Sequence, residues 1–255
     1  MPGASDNRRI DRGMSRYIRE KGVPSHPRCT GFFCAEGGNE LKLDKTKMSI
    51  TVESELCAGG EEVAEALADM LKLKCHSDEI TGIASKLSGI SRKLLRRYEA
   101  KRVRQAYDLS AESEDALHIP AEKYFLAAQV AACRTLADEG PCVLLDHHSN
   151  AALADRENHV GIFIHGDRED RLNNYAKKHL QTPYRARRDF NREDRERTSC
   201  FRALSRDWGK ASNYCLTVNS SRASAQTLAQ NIVRYLETVT QEELVHPISA
   251  QERSA

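Results

Sequence analysis

The sequence predicts an α/β fold, a three-layer arrangement in which a parallel sheet carries helices on both faces. Three observations lead there. Apolar, β-branched runs at 48–52, 142–146 (CVLLD), 160–165 (VGIFIH) and 214–218 read as strands buried on both faces. The segments between them repeat apolar residues at helical spacing, as crossover helices do. The first strand also runs through the pair Gly59-Gly60 directly into a helix. In such a unit the loop N–H groups and the helix dipole converge on one point, where an anion can bind.

A chain of 255 residues that is 40% hydrophobic can build a substantial core, as one α/β domain with appendages or as two small domains. No apolar run approaches the ~18 residues of a membrane span. The N-terminus MPGASDNRRIDRG lacks the apolar stretch of a secretory signal, so a soluble, cytoplasmic protein with no membrane partner is expected. The eight cysteines are scattered, mostly beside apolar segments, which favours free thiols. Cys29 and Cys34 have only His26 nearby, so no metal site is expected. Net charge is +2, with acids interspersed among the arginines of 185–197 and an acidic stretch at 53–69. Interleaved acids weaken a phosphate-tracking stripe, and nucleic-acid binding is not expected.

In chain order, residues 1–46 are polar and broken by Pro24, Pro27 and glycines, and read as a poorly ordered arm. After the strand at 48–52, Val63, Ala64, Leu67, Met70 and Leu71 mark the first helix. Helical patterns follow at 77–87 and 91–106, then a polar loop at 108–118. Ile119-Pro120 opens a long amphipathic helix that ends at Gly140-Pro141. Beyond the third strand, 168–179 is a charged helix and 183–206 continues as polar helical sequence. Its arginines, Arg195 and Arg197 among them, are expected to be solvated, or alternatively to form a mobile lid. A strand at 214–218, a closing helix at 224–238 and a tail complete the chain.

Four segments together resemble the cytidylate kinase-like family of P-loop nucleoside-monophosphate kinases. ITVESELCAGGEEVAEALADML is similar to I-[ST]-[IV]-S-R-E-x-G-S-G-G-[RK]-x-[IV]-A-x-x-L-A, and CVLLDHH to a strand ending V-I-V-G-R. VGIFIHGDREDR resembles V-F-I-x-A-x-x-x-x-R, and the stretch from Asp194 through Trp208-Gly209 to Tyr214 and Asn219 resembles D-K-x-R, W-G and Y-D-L-x-[IL]-N. The resemblance implies a P-loop NTPase-like domain over 47–239, with a helical insert at about 75–120, a helical lid at about 183–206 and a tail at 240–255. It also implies phosphoryl transfer from Mg-ATP to a pyrimidine monophosphate such as CMP or dCMP. Cys57, Ala58, Gly59, Gly60, Glu61 and Glu62 would form the nucleotide loop. Asp146 and His147 would lie on the acceptor side, and Asp194, Arg195 and Arg197 would be the catalytic group of the lid.

The departures from the pattern carry their own expectation. Cys57 and Ala58 stand where the loop has glycine and serine, Ser54 where it opens with arginine, and Glu61 where a cation would meet the β- and γ-phosphates. Asp146-His147 replaces the glycine–arginine pair. Replacing attraction by like-charge repulsion weakens binding of a tetra-anion, so phosphate binding should suffer severely. A kinase-fold pseudoenzyme that binds a nucleotide weakly, or a protein partner, is therefore the alternative to a working kinase. Two further readings concern single groups. Asp146 with His147 or His148 could hold a metal or form an acid–base pair, with His165 on the same edge, and Cys57 could be an activated nucleophile, an inert thiol being preferred.

Overall fold

The computed structural model describes residues 46–95, 121–204 and 208–240. All but the last residue of the expected arm at 1–46, most of the helix at 91–106, the loop at 108–118 and the tail beyond 240 lie outside the described residues. Five strands form one parallel sheet in the order β2-β3-β1-β4-β5: β1 (Ser49–Ser54), β2 (Lys74–His76), β3 (Cys142–Leu145), β4 (His159–His165) and β5 (Leu216–Asn219). The helices are α1 (Gly60–Leu71), α2 (Asp78–Ser88), α3 (Ala121–Glu139), α4 (Ser149–Leu153), α5 (Arg168–Lys178), α6 (Pro183–Leu204) and α7 (Ala225–Thr240).

Strand alternation divides the core. On one face, Ile50 and Val52 of β1 and Val143 and Leu145 of β3 pack with Val63, Ala64 and Leu67 of α1 and with Leu228, Ile232 and Leu236 of α7. On the other, Cys142 and Leu144 of β3 meet Ala128, Cys133 and Leu136 of α3 and Leu153 of α4. Each fully buried Ile or Leu contributes about 1.5–3 kcal/mol. Thr51 and Glu53 of β1 alternate with Ile50 and Val52, so two polar side chains face this second side, beneath α4.

Three elements differ from the expectation. β2 is the strand KCH at the sheet edge, and it occupies the start of the expected helical insert. It is only three residues long and directly follows the helix, and its brief alternation (Leu73, Cys75 against Lys74, His76) is too short to announce a strand. α4 is five residues long, in what reads as a polar connection. The last strand runs over Leu216–Asn219 rather than 214–218, because Tyr214 turns into the core.

The turn from β1 into α1 depends on its glycines. Gly59, at φ 76 and ψ 24, caps the helix in the left-handed region, which glycine adopts without steric cost. A Cβ on Gly60 would lie 2.4 Å from the Cβ of Ser54, so only glycine lets α1 begin against the end of β1. α5 and α6 pack through Leu172, Tyr175, Ala186 and Phe190, with Leu56 and Cys57 of the loop against them. Among the described residues, no helix is long and apolar enough to cross a membrane.

Candidate functional site

The parallel registers Val52↔Leu145 and Ser54↔Ile164 bring the residues after β1, β3 and β4 to one carboxyl edge, the edge at which open α/β sheets bind ligands. Beyond β3 the chain takes three consecutive left-handed residues, Asp146 (φ 57), His147 (φ 52) and His148 (φ 58). Each costs about 1–2 kcal/mol for a residue with a Cβ. A glycine at position 146, as in the family pattern, would adopt that backbone freely.

This turn sends the three side chains apart. Asp146 Oδ1 accepts from Arg197 Nη2 at 2.7 Å and from the Ser54 N–H at 3.3 Å. His147 Nδ1 faces Gln129 Nε2 of α3 at 3.1 Å. His148 is buried against Phe201, ring centroids 4.7 Å apart, with Nε2 4.0 Å from Cys200 Sγ. Burial first, then the neighbouring His147 and Arg197, pulls His148 down to about 3, so its ring is neutral. Among the described residues, no three His, Cys, Asp or Glu side chains gather as a metal site. The metal or acid–base reading of this dipeptide finds no support, because its members diverge.

Arg197 is neither a solvated charge nor the tip of a free lid. Its Nε and Nη2 both donate to the Ser54 carbonyl, at 2.9 and 2.8 Å, and the guanidinium lies 4.9 Å over the Phe201 ring. The Arg197 and Asp146 side chains are only 24% and 25% exposed. Asp194, one turn earlier on α6, accepts from Arg171 Nη1 at 2.7 Å. The same Arg171 nitrogen donates to the Leu56 carbonyl at 3.2 Å, and its Nε lies 3.2 Å from Glu55 Oε2. Arg195, between the two inward-facing residues, is exposed. Arg197→Ala removes three hydrogen bonds and a ring contact and leaves Asp146 at the strand end with only the Ser54 N–H. Urea denaturation should show a loss of about 2 kcal/mol, below the 3–5 of a fully buried pair because both groups are partly hydrated.

The loop keeps its shape through its own backbone. The Ala58 N–H donates to the Glu55 carbonyl at 3.1 Å, and Asn174 Nδ2 holds the Cys57 carbonyl at 3.3 Å. Glu61 and Glu62 are exposed on the first turn of α1, where a phosphate would approach. Burial pushes the Cys57 thiol up, against the opposing influence of Lys178, Arg197 and Arg171, so this cysteine is not an activated nucleophile. Of the cations near the loop, Arg171 and Arg197 are both engaged by carboxylates, while Lys178 stands beside Cys57.

Beneath the edge runs a buried polar network that the sequence alone does not reveal. Tyr214 Oη donates to Glu53 Oε2 at 2.7 Å, and the Asn150 N–H to Glu53 Oε1 at 3.3 Å. Asn150 Nδ2 continues to the Asn213 carbonyl at 3.1 Å, and Thr51 Oγ1 lies 2.7 Å from His159 Nε2. Gly161 makes room for it, since a Cβ there would lie 2.1 Å from Asn150 Oδ1. Burial raises the Glu53 carboxyl to about 7, with Asp146 adding to the rise and Tyr214, Asn150 and Arg197 opposing it. Burial likewise pulls His159 down to about 4, against Asp155. The one signal in the sequence is the pattern itself: Glu53 stands where the family has serine, in a strand otherwise apolar on alternate positions.

A model of the cytidylate kinase-like family matches residues 49–222. No curated protein matches the chain. Among solved structures, the chain is similar to an uncharacterized protein from Eubacterium ventriosum, at 16% identity and a TM-score of 0.56, over 75% of this chain and 99% of that one. That likeness shows a shared fold. It is more distantly similar to shikimate kinase from Aquifex aeolicus, at 15% identity and a TM-score of 0.39 over 75% of this chain and 97% of that one. For shikimate kinase from Acinetobacter baumannii the values are 14% and 0.41, over 76% and 96%.

Proposed function

We propose, from the premise that the chain belongs to the cytidylate kinase-like family, that it is a kinase-fold pseudoenzyme: a weak nucleotide- or protein-binding module that does not phosphorylate CMP. One observation carries this reading. Arg197, the cation that would stabilise a transferred phosphoryl group, is ion-paired to Asp146 at 2.7 Å, at the position where the family pattern has glycine. To serve a phosphoryl group it would have to leave that carboxylate and the Ser54 carbonyl.

The residues present do not fit Mg-ATP. A triphosphate on the loop would meet Glu61 and Glu62 in place of a cation. Asp146, the strand-end acid that could serve a magnesium ion, is engaged by Arg197 and the Ser54 N–H. Isothermal titration with Mg-ATP, alone and with CMP, should give no binding tighter than about millimolar. Micromolar binding that tightens with CMP would overturn the reading.

A working CMP kinase is the second reading. It is favoured by the loop shape that Gly59 and Gly60 maintain and by the position of Arg197 at the carboxyl ends of β1 and β3.

A further inference from the structure

We propose that the corner between α5 and α6 is a self-association surface, which docks on the acidic face of α1 of a second copy of this chain. The corner spans 177–188, KKHLQTPYRARR, with five cations and no acid. Four large hydrophobic side chains are exposed among the described residues, and two are here: Leu180 at 94% and Tyr184 at 84%. Leu180 also sits at φ 51, a conformation that a branched side chain adopts at a cost, yet the side chain stays in solvent. Arg185 and Arg188 share Asp189, at 3.7 and 3.2 Å, and Arg187 lies 3.7 Å from Glu169. With Lys177 and Lys178 beside them, the corner keeps an excess of positive charge. Arginine and tyrosine around an apolar centre is the composition that protein interfaces favour.

The complement lies on the same chain. The exposed face of α1 carries Glu61, Glu62, Glu65 and Asp69, no cation occurs within the helix, and Ala66 and Met70 are partly exposed between the acids. Among the described residues, no ion pair joins these acids to the five cations within one chain. Acids and apolar groups thus face outward on one element, cations and apolar groups on another, which is the condition for two copies to pair through unlike patches. Exposed ion pairs are individually weak, so the contact relies on burying Leu180 and Tyr184 and is sensitive to salt.

The test is sedimentation velocity of the full chain from about 5 to 200 µM, at salt of about 0.02 M and about 0.5 M. Wild type should rise toward at least twice the protomer mass at low salt, with association weakened tenfold or more at high salt. Arg185→Glu/Arg188→Glu and, separately, Tyr184→Ser should stay monomeric at low salt. Glu65→Lys/Asp69→Lys should do the same from the opposite patch. Mixing the two charge-reversed proteins should restore association, which also shows that each is folded. A wild type that stays monomeric at low salt and the highest concentration overturns the proposal. So does association that persists in Tyr184→Ser, or a charge-reversed pair that fails to associate on mixing while each melts at the wild-type temperature.

Discussion

Glu53→Gln should stabilise the protein by about 3 kcal/mol at pH 8 and leave its stability nearly unchanged at pH 4. The carboxyl is 2% exposed, and its folded pKa of about 7 lies above the 4.5 of an unperturbed glutamate. The folded state therefore holds a proton that the unfolded state releases between those values. Its contribution favours folding fully below pH 4.5 and is lost as pH rises to about 7, about 1.36 kcal/mol going with each pH unit crossed. A glutamine keeps the shape and titrates nowhere in this range. The buried His148 and His159 act in the opposite direction, losing stability as pH falls from 6.5 toward about 3 and about 4. They are present in both proteins and cancel in the difference. Urea denaturation across pH 4–8 should give a gap between variant and wild type that opens through pH 4.5–7 and is flat above. A constant gap would mean that Glu53 does not titrate in this window.

The second large effect belongs to the loop. Glu61→Lys exchanges a carboxylate for an ammonium at the start of α1, where the helix N-terminus and the loop N–H groups already face the phosphate position. Even screened, reversing that charge is worth on the order of 1–3 kcal/mol, so Mg-ATP should bind roughly tenfold more tightly or better. Adding Asp146→Gly removes the carboxylate partner of Arg197, leaving it only the Ser54 carbonyl to donate to, and relieves one left-handed residue, so affinity should improve again. If neither substitution moves the titration curve, the loop does not bind the triphosphate.

Much of the fold is legible in the sequence, because β1 alternates β-branched with polar residues, β3 and β4 are apolar runs, and α1 and α7 carry strong periodicity. β2 is not, since Lys74, Cys75 and His76 carry only a brief alternation directly after a helix, and their strand state rests on pairing with β3. The site is legible as departures only. Asp146, Glu61 and Ser54 can each be seen to replace a family residue, but the consequence lies in partners distant in sequence. Asp146 meets Arg197 51 residues away, and Glu53 meets Tyr214 161 residues away. No local period encodes such pairs. By its own segment Arg197 reads as one more solvated arginine of 183–206, and only the family resemblance singles it out as a lid residue; neither shows that α6 turns it onto the strand ends.

Whether any phosphoryl transfer to CMP survives is tested most directly by ADP release from Mg-ATP by the full chain, with and without CMP, beside Arg197→Ala. With Arg197 held by Asp146 and the loop cation replaced by Glu61, wild type should show no CMP-dependent release above background, and the variant should leave that background unchanged. CMP-dependent turnover near 1 s⁻¹, roughly the lower end for phosphotransferases, with a loss of about 10²-fold in Arg197→Ala, would contradict it.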